Sequence, residues 1–213
     1  MIPAREALLR LYQGNRRFAA GQGEGAPTGP ERRSEVVNEQ SPFAIVLGCS
    51  DSRVPAEIVF DQGLGDLFVI RVAGNVVAAS QIGSVEFAAE WFGTELVVVL
   101  GHSRCGAVTA TLEELLGSSR HPSRNLRSIV DRVRPSVQPL LDAYGSGDRD
   151  ALIARGVRAN VLAAVNQLRY GSEVLEQLIQ QDRLLIVGAE YSLDTGVVDF
   201  FEGVPEGTFP PRR

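Results

Sequence analysis

Two apolar runs of strand length each end in a glycine followed by a metal-capable side chain. This pairing constrains the chain more than any other feature. Phe43-Ala44-Ile45-Val46-Leu47 leads into Gly48-Cys49-Ser50-Asp51-Ser52-Arg53, and Leu96-Val97-Val98-Val99-Leu100 leads into Gly101-His102-Ser103-Arg104-Cys105-Gly106. Runs this continuous are buried on both faces, the habit of parallel strands covered by helices on each side. Open sheets of that kind build their sites beyond the carboxyl ends of the strands. Cys49, His102 and Cys105 are therefore delivered to one end of one sheet. Two thiolates and an imidazole form a recognised zinc set with a fourth position left open. A disulfide between the only two cysteines is the alternative, and it fits an oxidising compartment. Met1-Ile2-Pro3-Ala4-Arg5-Glu6 has no basic segment running into an apolar core, so the reading is a reduced, cytoplasmic setting and a bound metal.

The 213 residues suit one domain with a sizeable core and an added arm. A net charge of −5 gives no reason to expect nucleic acid or an anionic membrane as partner. No apolar run approaches the ~20 residues that cross a bilayer.

Residues 4–20 read as a helix with Leu8, Leu11, Tyr12 and Phe18 on one stripe. Residues 21–34, rich in glycine and proline, read as an extended linker that cannot hold a helix. Residues 1–34 thus form a helical arm for dimerisation, with a helix folded back on its own domain as the alternative. Residues 35–204 carry strands at 43–47, 67–71, 96–100 and 184–187, and helices at 80–92, 106–116, 150–169 and 173–181. A short helix starts at Pro55. Pro122, Pro135 and Pro139 predict that 117–150 is helical only in pieces. The turn Asp194-Thr195-Gly196 sends a last strand, 197–201, back antiparallel, and 205–213 read as a poorly ordered tail. The expected fold class is α/β: a mostly parallel sheet of four strands plus an antiparallel edge strand, flanked by helices, with an N-terminal helical arm.

Two thiolates cancel the charge of a divalent zinc, so acidifying a bound water needs outside help. The helix after Cys105, with Gly106 at its amino end, offers positive potential, and Arg53 offers a full charge. Asp51 has two parts open to it. Paired with Arg53, it accepts a hydrogen bond from a metal-bound hydroxide; released, it takes the fourth position and shuts the site. A closed structural zinc site and a solvated Asp–Arg pair are the plainer alternatives. His121 reads as a surface residue.

Cys49-Ser50-Asp51-Ser52-Arg53 together with Gly101-His102-Ser103-Arg104-Cys105-Gly106 resembles the β-class carbonic anhydrases. The resemblance extends to Gly14-Asn15-Arg16-Arg17-Phe18, Gln40-Ser41-Pro42, Arg71-Val72-Ala73-Gly74-Asn75, Tyr191 and Asp194-Thr195-Gly196. It implies reversible hydration of CO₂ to bicarbonate and a proton, with one Zn²⁺ per subunit on Cys49, His102 and Cys105 and a catalytic dyad of Asp51 and Arg53. It also implies that Gln40 reaches substrate across a dimer interface and that Phe68 and Ala73 line the substrate cleft; the Gly106 amide, at the helix N-terminus, is with Gln40 a candidate donor to the developing oxyanion. Homodimers, paired in some members into tetramers, are the implied assembly. Hydrolysis of CS₂ or COS on the same site is the alternative chemistry, and a non-catalytic zinc protein the alternative class. Some bacterial members bind inhibitory bicarbonate with a tryptophan, an arginine and a tyrosine. Arg71 and Tyr191 match two of these, but Val46 stands where the tryptophan would, so the expectation is an open site without that switch.

Overall fold

The computed structural model describes residues 2–23, 25, 27–118 and 123–210; His121, Pro122 and the last three residues of the tail lie outside them. Five strands form one sheet in the order β2-β1-β3-β4-β5. These are β1 (Ala44–Gly48), β2 (Leu67–Arg71), β3 (Leu96–His102), β4 (Leu185–Tyr191) and β5 (Val198–Glu202). The first four run parallel, as the alternation of apolar runs and helices predicts, and β5 pairs antiparallel with β4, as the Asp194-Thr195-Gly196 turn predicts. β3 and β4 extend past their apolar runs because they pair with each other along their whole length, from Leu96 beside Leu185 to His102 beside Tyr191. Ladder bonds carry the polar ends that composition alone does not mark as strand.

Alternate residues of the central strands face opposite layers. Val46, Val98, Leu100, Val187 and Ala189 pack beneath α1 (Ala4–Ala19) and the short α3 (Ala56–Val59), against Ala7, Leu8, Leu11, Val59 and Phe60. Ile45, Leu47, Val97, Val99 and Ile186 face α4 (Ala79–Trp91), α7 (Arg149–Tyr170) and α8 (Glu173–Gln180), meeting Val85, Ala88, Val161, Val165, Leu168 and Leu175. Gly101 in β3 lets α7 come close: a Cβ there would stand 2.5 Å from Val161 Cγ2. The third cluster sits at the carboxyl end of the sheet, under α5 (Gly106–Leu115), α6 (Arg124–Tyr144) and α7, and it includes Cys49 and Cys105.

Three expectations change. First, α2 (Pro30–Val36) forms inside the stretch read as unable to hold a helix. Pro30 is its first residue, where a missing N–H costs nothing, and Arg32 ties it to the Leu64 carbonyl at 2.9 Å. Second, α6 is continuous through Pro135 and Pro139. Each proline costs about 3 kcal/mol in a helix interior, and burial of Val130, Val133 and Val137 returns roughly 2 kcal/mol per side chain. Third, the tail is packed as far as it is described: Phe209 stacks on Tyr12 with centroids 4.5 Å apart and touches Phe200.

α1 packs on the sheet of its own chain. Leu8 and Leu11 are fully buried there, worth roughly 3–6 kcal/mol together. Doubling the linker would cost only about 0.6 kcal/mol of closure entropy. Asn15 fastens the helix further, donating to the carbonyls of Val59 (3.1 Å) and Gly196 (2.8 Å) and accepting from the Val198 N–H at 2.8 Å.

Candidate metal centre

β1 and β3 are neighbours in register, Gly48 beside Leu100, so Cys49 leaves β1 next to the last turn of β3. His102 ends β3. Arg104, at φ 57°, then reverses the chain in a left-handed step, and Cys105 becomes the N-cap of α5. The β4–β5 connection braces this reversal: Ser103 N–H donates to the Tyr191 carbonyl at 2.9 Å, and Ser103 Oγ accepts from Leu193 N–H at 2.9 Å. The sulfurs of Cys49 and Cys105 and a ring nitrogen of His102 all lie within 4.8 Å of one another, and all three residues are buried.

The ring orientation is set by a single bond, His102 Nδ1 to the Ser103 carbonyl at 3.0 Å. A carbonyl only accepts, so Nδ1 carries the proton and Nε2 offers its lone pair. Nε2 is wholly buried and makes no hydrogen bond of good geometry, although the Cys49 sulfur is close enough to act on it, an arrangement that costs free energy unless something binds there. A tetrahedral zinc holds such ligand atoms about 3.6–3.8 Å apart, within the spread of this cluster. Residue types, separation and the orphaned nitrogen all suit the ion.

The charges agree. The Cys105 thiol hydrogen bond, opposed by burial and aided by His102 and the N–H groups of Asp51 and Gly74, draws Cys49 down to about 4. The same bond, with burial, pushes Cys105 far up. For His102, burial is the largest influence and pulls downward, but the Cys49 thiolate outweighs it and the imidazole is raised. Without metal, the trio thus gathers protons around one thiolate. A divalent cation held by the three residues would take the place of those protons and reverse the field at the imidazole.

Beside the trio, Asp51 and Arg53 form a two-bond pair, Nε to Oδ1 at 2.9 Å and Nη2 to Oδ2 at 2.8 Å. The Arg53 side chain, and then its backbone N–H, hold the Asp51 carboxyl well below the usual carboxylate range. Asp51 Oδ2 stands 3.8 Å from His102 Nε2. The loop that carries this pair is clamped by Arg71, which donates to the carbonyls of Cys49 (3.0 Å) and Asp51 (2.6 Å).

Comparison with known proteins agrees with this geometry. The family model for carbonic anhydrase matches residues 44–198, which span the sheet from β1 to the start of β5. The carbonic anhydrase of Mycolicibacterium smegmatis is 44% identical over 190 residues, covering 89% of each chain. The chain belongs to the β-carbonic anhydrase family. Carbonic anhydrase 2 of Mycobacterium tuberculosis is 40% identical over 188 residues, covering 87% of each chain. Among solved structures, the β-carbonic anhydrase CafA of Aspergillus fumigatus superposes with a TM-score of 0.73 at 25% identity, covering 92% of this chain and 89% of its own. The protein is accordingly a lyase of the carbonic anhydrase type.

The other residues singled out in this β-carbonic anhydrase are less gathered. Gln40 is exposed in the loop before β1, and Ala73 is exposed on the 3-10 turn Ala73–Asn75. Gly106 is exposed at the first position of α5, next to Cys105. Phe68 packs beside Phe87 and Phe92 at the β2 edge, with centroids 6.2 and 6.0 Å away. Two contacts behind Cys49 are not marked by any motif. Gly74 N–H donates to Cys49 Sγ at 3.3 Å, and Asn160 Nδ2 donates to the Gly74 carbonyl at 2.7 Å. The available signal for Asn160 was a polar residue within the apolar stripe Val157, Val161, Val165.

Proposed function

We propose that this β-carbonic anhydrase holds one zinc ion on Cys49, His102 and Cys105, keeps the fourth position open, and catalyses reversible hydration of CO₂ to bicarbonate and a proton. The observation that carries the reading is the buried, unpartnered Nε2 of His102 beside two thiol sulfurs, with Asp51 held off by Arg53. Zinc so held supplies a Lewis acid that lowers the pKa of a bound water toward neutrality. Asp51, ionised and fixed, accepts a hydrogen bond from the attacking oxygen and aims its lone pair at the carbon. Arg53 keeps that carboxylate from moving onto the metal. The Gly106 N–H, at the positive end of α5, is a donor for the developing oxyanion.

The same reading makes the protein a homodimer that acts in the cytoplasm, with Gln40, Phe68 and Ala73 completing a cleft between subunits. Its support is the open edge of the sheet. β2 has a neighbour on one side only, and Phe87 and Trp91 beside it are 47% and 77% exposed. Among the described residues no helix is long and apolar enough to cross a membrane.

The test is a stopped-flow CO₂ hydration assay on protein of measured zinc content. One zinc per chain with a hydration rate proportional to it is the expected result. Stoichiometric zinc without hydration would leave a structural site and overturn the enzyme mechanism.

A further inference from the structure

Cys49 Sγ accepts a hydrogen bond from outside its own strand, from the N–H of Gly74 at 3.3 Å. Gly74 is in the left-handed region, φ 67° and ψ 21°, and Asn75 after it has φ 43°. Glycine enters that region freely and asparagine more readily than most residues, so what holds this turn in place is its contacts. One constraint is steric, since a Cβ at position 74 would stand 2.8 Å from Ala107 Cβ in α5. The other is Asn160, in the middle of α7, whose Nδ2 donates to the Gly74 carbonyl at 2.7 Å. Asn160 is only 5% exposed, on the apolar face of α7. A carboxamide in that stripe is costly to bury unless bonded, and the Gly74 turn is what it bonds.

We propose that Asn160 is a positioning residue for the metal centre. By fixing the Gly74 carbonyl it aims the Gly74 N–H at Cys49 Sγ, and so sets how strongly that sulfur donates to the metal. The inference rests on the reading that Cys49, His102 and Cys105 hold zinc. A set with two thiolates quenches much of the ion's charge. A hydrogen bond to one sulfur draws electron density back from the metal and restores part of its electrophilicity, as partners of metal ligands do elsewhere. Asn160 itself touches none of the three ligands' side chains through any bond of its own; it works through the turn, from 86 residues away in the chain.

The experiment compares wild type with Asn160→Leu and Asn160→Asp, which replace the amide donor while keeping the branched outline of the side chain. Ser172→Ala is the control. It breaks a different, half-buried link between helices, Ser172 Oγ to Glu86 at 2.6 Å, on the α8 side of the fold. Zinc retention is measured by competition with a chelator, and the sulfur's donor strength by the thiolate-to-metal charge-transfer absorption of the Co(II) form. The Asn160 variants should hold zinc about 10-fold less tightly, the lower end of the range for partners of metal ligands, and shift the absorption to lower energy. Ser172→Ala should move neither. A third measurement needs no substitution: in the wild-type ¹¹³Cd form, the Gly74 amide proton should show scalar coupling to the metal through the sulfur. Wild-type absorption and zinc affinity in a folded Asn160 variant, equal shifts in the control, or no coupling at Gly74 would overturn the proposal. A wild type that binds none of the three ions overturns the metal reading itself, and this inference with it.

Discussion

Asp51 Oδ2 stands 3.8 Å from His102 Nε2, yet both oxygens of its carboxylate are held by Arg53. In the proposed site the group is near enough to act on whatever occupies the fourth metal position, and its pairing with Arg53 holds it off that position. Proximity and restraint come from residues two apart, which is why the pair is legible as a motif.

Asp51→Asn keeps the shape and removes the charge. Metal content should stay at the wild-type level while kcat/KM for CO₂ hydration falls about 10²-fold or more, the usual scale for losing a positioned acid–base group. Arg53→Ala should also abolish most activity, for a different reason: the freed carboxylate moves onto the metal. X-ray absorption at the zinc edge separates the two, with an added carboxylate oxygen in Arg53→Ala only. Full activity in Asp51→Asn would remove the carboxylate from the reaction.

The pH dependence follows from the same pair. The Arg53 side chain, more than any other cause, depresses the Asp51 carboxyl in the folded protein. A depressed carboxyl contributes stability that is complete above its unfolded value, about 3.9, and is lost as the pH falls below that toward the folded value. Between pH 6 and 8 the Asp51–Arg53 pair therefore does not change state. Val46 is fully buried in β1, and Arg71 is engaged with the Cys49 and Asp51 carbonyls. Bicarbonate inhibition at pH 7 should accordingly be hyperbolic, with a Hill coefficient of about 1. A sigmoidal inhibition curve would mean that the loop does switch.

What could be read from the sequence was what is local. The two strand ends, the trio Cys49, His102 and Cys105 and the Asp51–Arg53 pair are short motifs, and the apolar runs that precede them set the sheet. The Gly74–Asn160 link was not legible, because 86 residues separate its partners and only tertiary packing brings them together. Helix α6 was misread for a different reason. Pro135 and Pro139 argue against a helix locally, while the stripe Val130, Val133, Val137 argues for one, and burial against α5 and α7 decides it. The tail shows the same priority: a lone Phe209 carries no periodicity, but Tyr12 and Phe200 give it a place.

Removing the metal should not unfold the protein. Cys49 and Cys105 belong to the smallest of three apolar clusters, and the two that flank the sheet contain neither. This differs from small zinc domains, whose folding energy is the metal's binding energy. Chelated protein, kept reduced, and a Cys105→Ser variant should both retain the wild-type far-ultraviolet circular dichroism spectrum with less than a tenth of the zinc. Thermal stability should fall, by about 4 kcal/mol if the comparison is with free zinc at a thousand times its Kd. Loss of the helical signal on chelation would show that the centre is structural.

The placement of α1 makes the last prediction. Leu8 and Leu11 are fully buried against the sheet of their own chain, and Asn15 binds both α3 and the β4–β5 turn. Truncating Leu8 to alanine should cost about 2–5 kcal/mol, the range for buried leucines, and urea unfolding should show the loss as a lower midpoint. If α1 serves its own subunit, that loss is the same at every protein concentration. If the helix were exchanged with a partner, the variant would dissociate on dilution and its midpoint would fall with concentration more steeply than that of wild type. Measuring both midpoints over a hundredfold dilution decides between them, and a parallel shift of the two curves is the expected outcome.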